Sequence, residues 1–270
     1  ICIVNTRKDA KELFKRLPKE GITLHLSKMM CSAHISETIE KIKSALNDES
    51  NAIIRVVSTQ LIEAGVDIDF PVVYRQEAGL DSILQAAGRC NREGRNGICT
   101  TFVFSLSKEH KLPLGEIQAA NNARKNLNKN LDWFSPEAMS EFFYQKYSQT
   151  HSFDVKKIKE YLYSINDLYF ATAAEKFHLI EDAGQNVIVC WKNSMDLIQQ
   201  LLDSGPSYNL MKTLSQYSVS VHKTDFEALQ KIGVVKEVLE GLFVVGYREQ
   251  YDENIGLLTD SNWSDKSLII

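Results

Sequence analysis

The stretch AIIRVVSTQLIEAGVDIDFPVVYR, residues 52–75, holds two apolar runs separated by a polar loop. AIIRVV (52–57) is nearly continuous and rich in β-branched residues, as a strand buried on both faces of a sheet must be. VVYR (72–75) repeats the signal. Between them, Ser58 and Thr59 would sit at the carboxyl tip of the first strand, where small hydroxyls and free backbone N–H groups suit a phosphate. Gly65 lets the backbone approach a ligand closely, and Asp67 sets a carboxylate beside it. Read alone, the segment is also satisfied by a strand, a loop and a strand with a turn glycine.

On either side of it, residues 1 to about 107 alternate short apolar runs with amphipathic stretches. ICIVN (1–5) and ITLHL (22–26) read as strands, as does CTTFVFSL (99–106). The spacing of Ala10, Leu13, Phe14 and Leu17 predicts a helix that Pro18 stops. SETIEKIKSALN (36–47) predicts a helix capped by Ser36, and DSILQAAGRCNR (81–92) predicts another. Strands separated by helices imply an α/β fold, a parallel sheet flanked by helices, with ligands at the carboxyl ends of the strands.

QAAGRCNREGR (85–95) places three arginines within seven positions. On the predicted helix, Gln85, Arg89 and Arg92 fall at i, i+4 and i+7, one face. Guanidinium groups recognise phosphate bidentately, and such groups aimed at a γ-phosphate stabilise transition-state charge. A solvated face paired with Glu77, Asp81 or Glu93 would also explain the cluster. Two anion-seeking segments, in this order and in one parallel-sheet domain, favour nucleotide chemistry.

With 44% hydrophobic residues, 270 residues can bury the cores of one or two domains. The 31 basic and 35 acidic residues leave a formal charge of −4, so any nucleic-acid contact must come from a local patch. Five widely spaced cysteines with no C-x-x-C pair argue against a disulfide framework or a zinc site and suit a reducing cytoplasm. The six histidines have no metal-like spacing. No apolar run approaches the roughly 18 residues of a membrane span. ICIVN reads as a strand already under way, which leads us to expect a longer parent chain. Beyond Leu106 the pattern changes. Residues 115–131 and 135–147, the latter with Ser135 as cap and Pro136 in the first turn, predict a helical connector over 108–168. Lys108, Lys111, Arg124, Lys125 and Lys129 give it a mild basic stretch. Strands at 186–191, 218–222 and 241–247, with helices at 194–204 and 224–232, predict a small α+β accessory domain over 169–270.

STQLIEAGVDIDF and QAAGRCNREGR resemble the fifth and sixth motifs of superfamily 2 helicases, and IVNTRKDAKELFKRL resembles the fourth, which opens the second RecA-like domain. The endings G-V-D-I-D-F and G-R-C-N-R-E-G-R are similar to the helicase-nuclease family of type I CRISPR systems. The latter half, with YDENIGLL, resembles that family's accessory carboxyl-terminal domain, in the I-C subtype. The resemblance implies that residues 1–107 are the second RecA-like domain. Arg89 and Arg92 would be arginine fingers reaching ATP, with Gln85 in the same motif and Gly65 and Asp67 at the nucleotide edge. Asn5, Thr6, Arg7, Ser58 and Thr59 would lie along single-stranded DNA, and Ser27 would belong to a subsidiary contact. Ala86 stands where the family often has a further arginine.

No G-x-x-x-x-G-K-[ST] loop, D-E-x-H run or paired His-Asp nuclease site occurs here. The resemblance therefore implies that ATP with Mg is bound mainly by a first RecA-like domain not in this sequence. It implies that the isolated chain does not hydrolyse ATP, folds without a cofactor and is a cytoplasmic monomer. Its partners would be single-stranded DNA and the RNA-guided surveillance complex (Cascade), not a membrane. Two rivals stand: another superfamily 2 helicase acting on DNA or RNA, and a non-enzymatic anion- or protein-binding module. The module predicts Arg89 and Arg92 locked in buried ion pairs, whereas fingers predict them exposed at a strand-tip face.

Overall fold

β1 (Cys2–Ile3), β2 (Ile22–Leu26), β3 (Ile54–Ser58), β4 (Val72–Gln76) and β5 (Thr100–Phe104) form an all-parallel sheet in the order β2–β3–β1–β4–β5. The computed structural model describes residues 1–18, 20–48, 52–63, 65–95, 97–107, 112–148, 153–163, 169–177 and 184–259. Parallel strands need crossovers, and α1 (Arg7–Arg16), α2 (Ser32–Asn47) and α3 (Leu80–Ala87) supply three of them. The chain leaves β1 toward β2 and leaves β4 toward β5, so the winding direction reverses between β1 and β4. Asn5, Gln76 and Glu77 sit at that switch point, the usual ligand crevice of such sheets. Ile3, Leu26, Ile42, Val56, Ile62 and Val73 fill the core beneath.

Two helix boundaries differ from the sequence reading. The helix expected at 81–92 stops at Ala87, because the following residues find backbone partners elsewhere. Phe70 N–H donates to the Arg89 carbonyl and Asn91 N–H to the Phe70 carbonyl, both at 2.9 Å, and Asn91 turns left-handed at φ 50°. Arg89 and Arg92 therefore lie in a turn, not on one helix face with Gln85. Helix α2 begins four residues before the expected Ser36. Its added turn carries His34, whose ring stacks 3.9 Å from Trp191 and whose Nδ1 lies 2.9 Å from the Tyr251 hydroxyl.

A helical segment follows, with α4 (Glu116–Lys125), α5 (Pro136–Ser148), α6 (Ile158–Leu162) and α7 (Phe170–Lys176). Ser135 caps α5 as expected, its Oγ accepting from Ala138 N–H at 3.1 Å. Ala120, Ala123, Ala138 and Phe142 pack this segment against Leu80 of the first lobe. The second sheet comprises β6 (Gly184–Ile188), β7 (Ser218–His222), β8 (Val235–Leu239) and β9 (Leu242–Val245), ordered β7–β6–β9–β8 and mixed in direction. Helices α8 (Ser194–Ser204), α9 (Tyr208–Ser215) and α10 (Lys223–Lys231) pack with it, and β10 (Tyr251–Asp252) pairs with β11 (Gly256–Leu257). α9, β8 and the last pair were not anticipated. Lys108, Lys111, His110, His151 and His178 lie outside the described residues.

The two lobes share one core. Met29 and Cys31, from the loop after β2, pack with Val187, Trp191, Val219, Tyr251 and Leu257. Leu257 N–H donates to the Met29 carbonyl at 2.8 Å, and Cys31 N–H to the Tyr251 hydroxyl at 3.0 Å. Gly256 makes this contact possible: its φ is 83°, and a Cβ there would stand 2.2 Å from the Met29 oxygen. The change Gly256→Ala combines a left-handed backbone with overpacking, so it should cost about 2–4 kcal/mol. The midpoint of urea unfolding will fall accordingly. All five cysteines are free, and no described helix is long and apolar enough to cross a membrane.

Candidate functional site

At the carboxyl end of the sheet, the five residues expected along DNA do not share one fate. Asn5, Ser58 and Thr59 are buried at 7%, 0% and 5% exposure. The Asn5 amide is consumed internally, donating to the Glu77 carbonyl at 2.9 Å while its Oδ1 accepts from Arg75 at 2.8 Å. Ser58 Oγ donates to the Thr59 carbonyl. Thr6 caps α1, accepting from Asp9 N–H at 2.9 Å and donating to Asp9 Oδ2 at 2.7 Å. Arg7 is exposed, with one guanidinium N–H directed at the Met29 sulfur. Of the five, Arg7 is the cation open to solvent; the others shape the tips of β1 and β3. Ser27 is likewise buried, its Oγ accepting from Met29 N–H.

The loop after β3 leaves this end and runs to the start of β4, at the opposite end of the sheet. Gly65 holds φ 75° there, a value only glycine adopts freely. The arginine turn lies at this amino end, because Cys90 Sγ meets the carbonyls of Pro71 and Thr100, which adjoin the first residues of β4 and β5. Arg92 is exposed and Arg89 half-buried, and the carboxyl-tip placement expected for them is corrected: the crossover through α3 carries the chain back across the sheet. Gln85, on α3, is exposed.

Arg92 pairs with Asp67 at 3.1 Å, with side chains 44% and 79% exposed. Pairs this open contribute about 0–1 kcal/mol and separate readily. Asp69, which the sequence reading passed over, shapes the turn: its carboxylate accepts from Arg92 N–H at 2.7 Å and Glu93 N–H at 3.2 Å. Arg89 donates to the Glu63 carbonyl at 2.7 Å, and its shielded Nε has no hydrogen-bond partner among the described residues. Partial burial, then the charge of Arg92, pull its pKa below the ordinary arginine value. Two guanidiniums, one held by a single main-chain carbonyl and the other by an exposed carboxylate, suit a phosphate once Arg89 turns outward. The adjacent cavity of about 1030 Å³ is lined by charges of both signs, Asp48, Asp67, Asp69 and Glu93 with Lys43, Arg55 and Arg95, so its lining selects for neither an anion nor a cation. Among the described residues no cluster of His, Cys, Asp or Glu could hold a metal ion.

The guanidinium that is locked inside is Arg75, which the sequence reading did not single out. Arg75 and Glu63 are 1% and 5% exposed, with Nε to Oε1 at 2.7 Å. The Arg75 Nη1 donates to Asn5 Oδ1 and, at 2.9 Å, to the Gln76 carbonyl. Burial pushes the Glu63 carboxyl up and the Arg75 guanidinium down, and each partner's charge opposes the other's shift. The signal was available: a charge inside an otherwise apolar strand demands a partner.

Residues 1–95 match the family model for the carboxyl-terminal region of the CRISPR-associated nuclease/helicase Cas3. A CRISPR-associated nuclease/helicase Cas3 from Methanothermobacter thermautotrophicus is 24% identical over 319 residues, covering 100% of this chain and 37% of that protein. T. fusca Cas3 in its AMPPNP form has the same fold at a TM-score of 0.53 and 13% identity, over 95% of this chain and 38% of that one. A chain of a CRISPR RNA-guided surveillance complex in a pre-nicking state gives a TM-score of 0.50 at 14% identity, over 95% of this chain and 40% of that one. The present chain thus spans about two-fifths of the length of these relatives.

Proposed function

We propose, from the premise that this chain belongs to the CRISPR-associated nuclease/helicase Cas3 family as a carboxyl-terminal portion, that it is half of an ATP-driven single-stranded DNA translocase. Residues 1–107 are the second RecA-like domain, 108–168 a helical connector and 169–270 the accessory domain. ATP with Mg, held mainly by the first RecA-like domain, supplies the phosphoanhydride whose cleavage drives motion. The amino end of the present sheet faces it. Arg89 and Arg92 reach the γ-phosphate, Gln85 belongs to the same surface, and Gly65 and Asp67 border it. At the carboxyl end Arg7 meets the DNA backbone, while Asn5, Thr6, Ser58 and Thr59 hold the strand tips in shape. Contacts of that kind track phosphates without reading bases. In the intact protein an HD nuclease cuts the strand being reeled in, and the partner is the RNA-guided surveillance complex.

One observation carries this reading: Arg89 and Arg92 are held lightly, by a carbonyl and by an exposed carboxylate, while Arg75 is the locked guanidinium. A binding module built on a structural anion pair has no use for that division. The test is ATP turnover by the full-length protein with single-stranded DNA or RNA added. DNA should stimulate turnover at least about tenfold more than RNA, more than 1 kcal/mol of discrimination. Equal stimulation by RNA favours another superfamily 2 helicase, and no stimulation by either rejects the motor.

A further inference from the structure

The Glu63–Arg75 pair is poorly explained by stability. Removing two charges from water costs several kcal/mol per ion, and apolar residues of similar volume often serve a fold as well or better. What an apolar pair would not do is connect. Arg89 is held by the Glu63 main-chain oxygen at 2.7 Å. The Glu63 side chain meets Arg75, and Arg75 holds Asn5 Oδ1. Asn5 is fastened further, its N–H donating to Gln76 Oε1 at 2.7 Å and its carbonyl accepting from Gln60 Nε2 at 3.2 Å. Glu63 N–H in turn donates to the Gln60 carbonyl at 3.0 Å. A contiguous buried polar chain thus runs from the arginine turn at one end of the sheet to the tip of β1 at the other.

We infer that Glu63 and Arg75 are positioning residues that couple the state of Arg89 to the placement of the Asn5–Arg7 segment, an inference that rests on the nucleotide-and-DNA reading above. When Arg89 moves to a phosphate, the Glu63 peptide loses its donor and is free to reorient. Its carboxylate belongs to the same residue, so Arg75 must follow it or leave Asn5. Both alternatives alter the end of the sheet where Arg7 stands. The reverse holds by linkage: DNA that fixes the Asn5–Arg7 segment fixes Glu63, and so biases where Arg89 rests.

The test uses the full-length protein carrying Glu63→Leu with Arg75→Met, which replaces the pair by apolar side chains. The readout is the ratio of ATP turnover with saturating single-stranded DNA to turnover without it, alongside the melting temperature. The ratio should fall about tenfold, inside the usual range of coupling between sites, with the melting temperature within about 5 °C of the parent. A ratio equal to the parent's overturns the inference, as does a proportional drop of both rates, which a merely structural pair would give. If the double variant does not fold, Glu63→Gln, which keeps shape and main-chain carbonyl, should still lower the ratio at least about threefold, and an unchanged ratio overturns the inference. Failure of the underlying reading looks different: the parent itself shows no DNA stimulation, or Arg89→Ala leaves stimulated turnover intact.

Discussion

Replacing Arg89 with alanine in the full-length protein will cut DNA-stimulated ATP turnover about a thousandfold, the low end of what an arginine finger contributes. That is roughly 4 kcal/mol of transition-state stabilisation. The physical basis is the low cost of recruiting this side chain. Among the described residues its one hydrogen bond is to the Glu63 carbonyl, and its shielded Nε has no partner, so swinging out to a phosphate gives the guanidinium new acceptors and sacrifices little. Single-stranded DNA affinity should change far less, by no more than the roughly tenfold coupling inferred between the two ends of the sheet, because Arg7 itself is untouched. Arg89→Lys keeps a charge but loses the planar fork, and should recover only part of the rate. Steady-state turnover and DNA binding measured on the same preparations decide the matter. Unchanged turnover in Arg89→Ala returns Arg89 to a structural role.

The second large effect is on stability against pH. Burial lowers the pKa of both His25 and His34 from 6.5 to about 4. For His25, Asp252 pulls upward and His34 downward; for His34, Glu37 and Asp252 pull upward and Lys41 downward. Both residues are 2% exposed, and His25 Nδ1 has no hydrogen-bond partner among the described residues. A folded-state pKa below the unfolded value means that the unfolded chain takes up the proton first. The stabilisation is therefore whole above pH 6.5 and is lost as pH falls toward 4. Each histidine should cost about 3 kcal/mol over that window, about 6 kcal/mol together. That rivals the entire stability of a typical domain. Urea unfolding at stepped pH should show the loss, and His25→Leu should remove about half of its slope. A flat profile from pH 6.5 to 4 would mean that these rings are hydrated.

The strands of the first sheet were legible because period and composition act locally: ITLHL, AIIRVV and CTTFVFSL coincide with β2, β3 and β5 to within two residues at either end. The end of α3 was not. Leu80 to Ala87 and the residues after them look equally helical, and what stops the helix is Phe70, whose backbone captures Arg89 and Asn91. Likewise α2 gains its first turn from Trp191 and Tyr251, more than 150 positions away. Residue chemistry was read correctly in kind and incompletely in place. Asn5 and Ser58 have the polarity of DNA contacts, but polarity at a strand tip can equally be spent on the protein itself, and here Arg75 and Thr59 spend it. Arg92 and Asp67 were both singled out as ligand-edge residues, and the fold brings them together. Glu63 and Asp69 were missed because their roles depend on Arg75 and on two main-chain N–H groups, which spacing along the chain does not reveal.

The seam at Met29 and Cys31 has one more implication, for how this chain can flex. A loop cannot swing independently of a lobe when its side chains are interior residues of that lobe. The piece that moves as one body must therefore be larger than one α/β layer: it takes the mixed sheet along as ballast, and the junction near residue 107 is held shut as a pivot by that shared core.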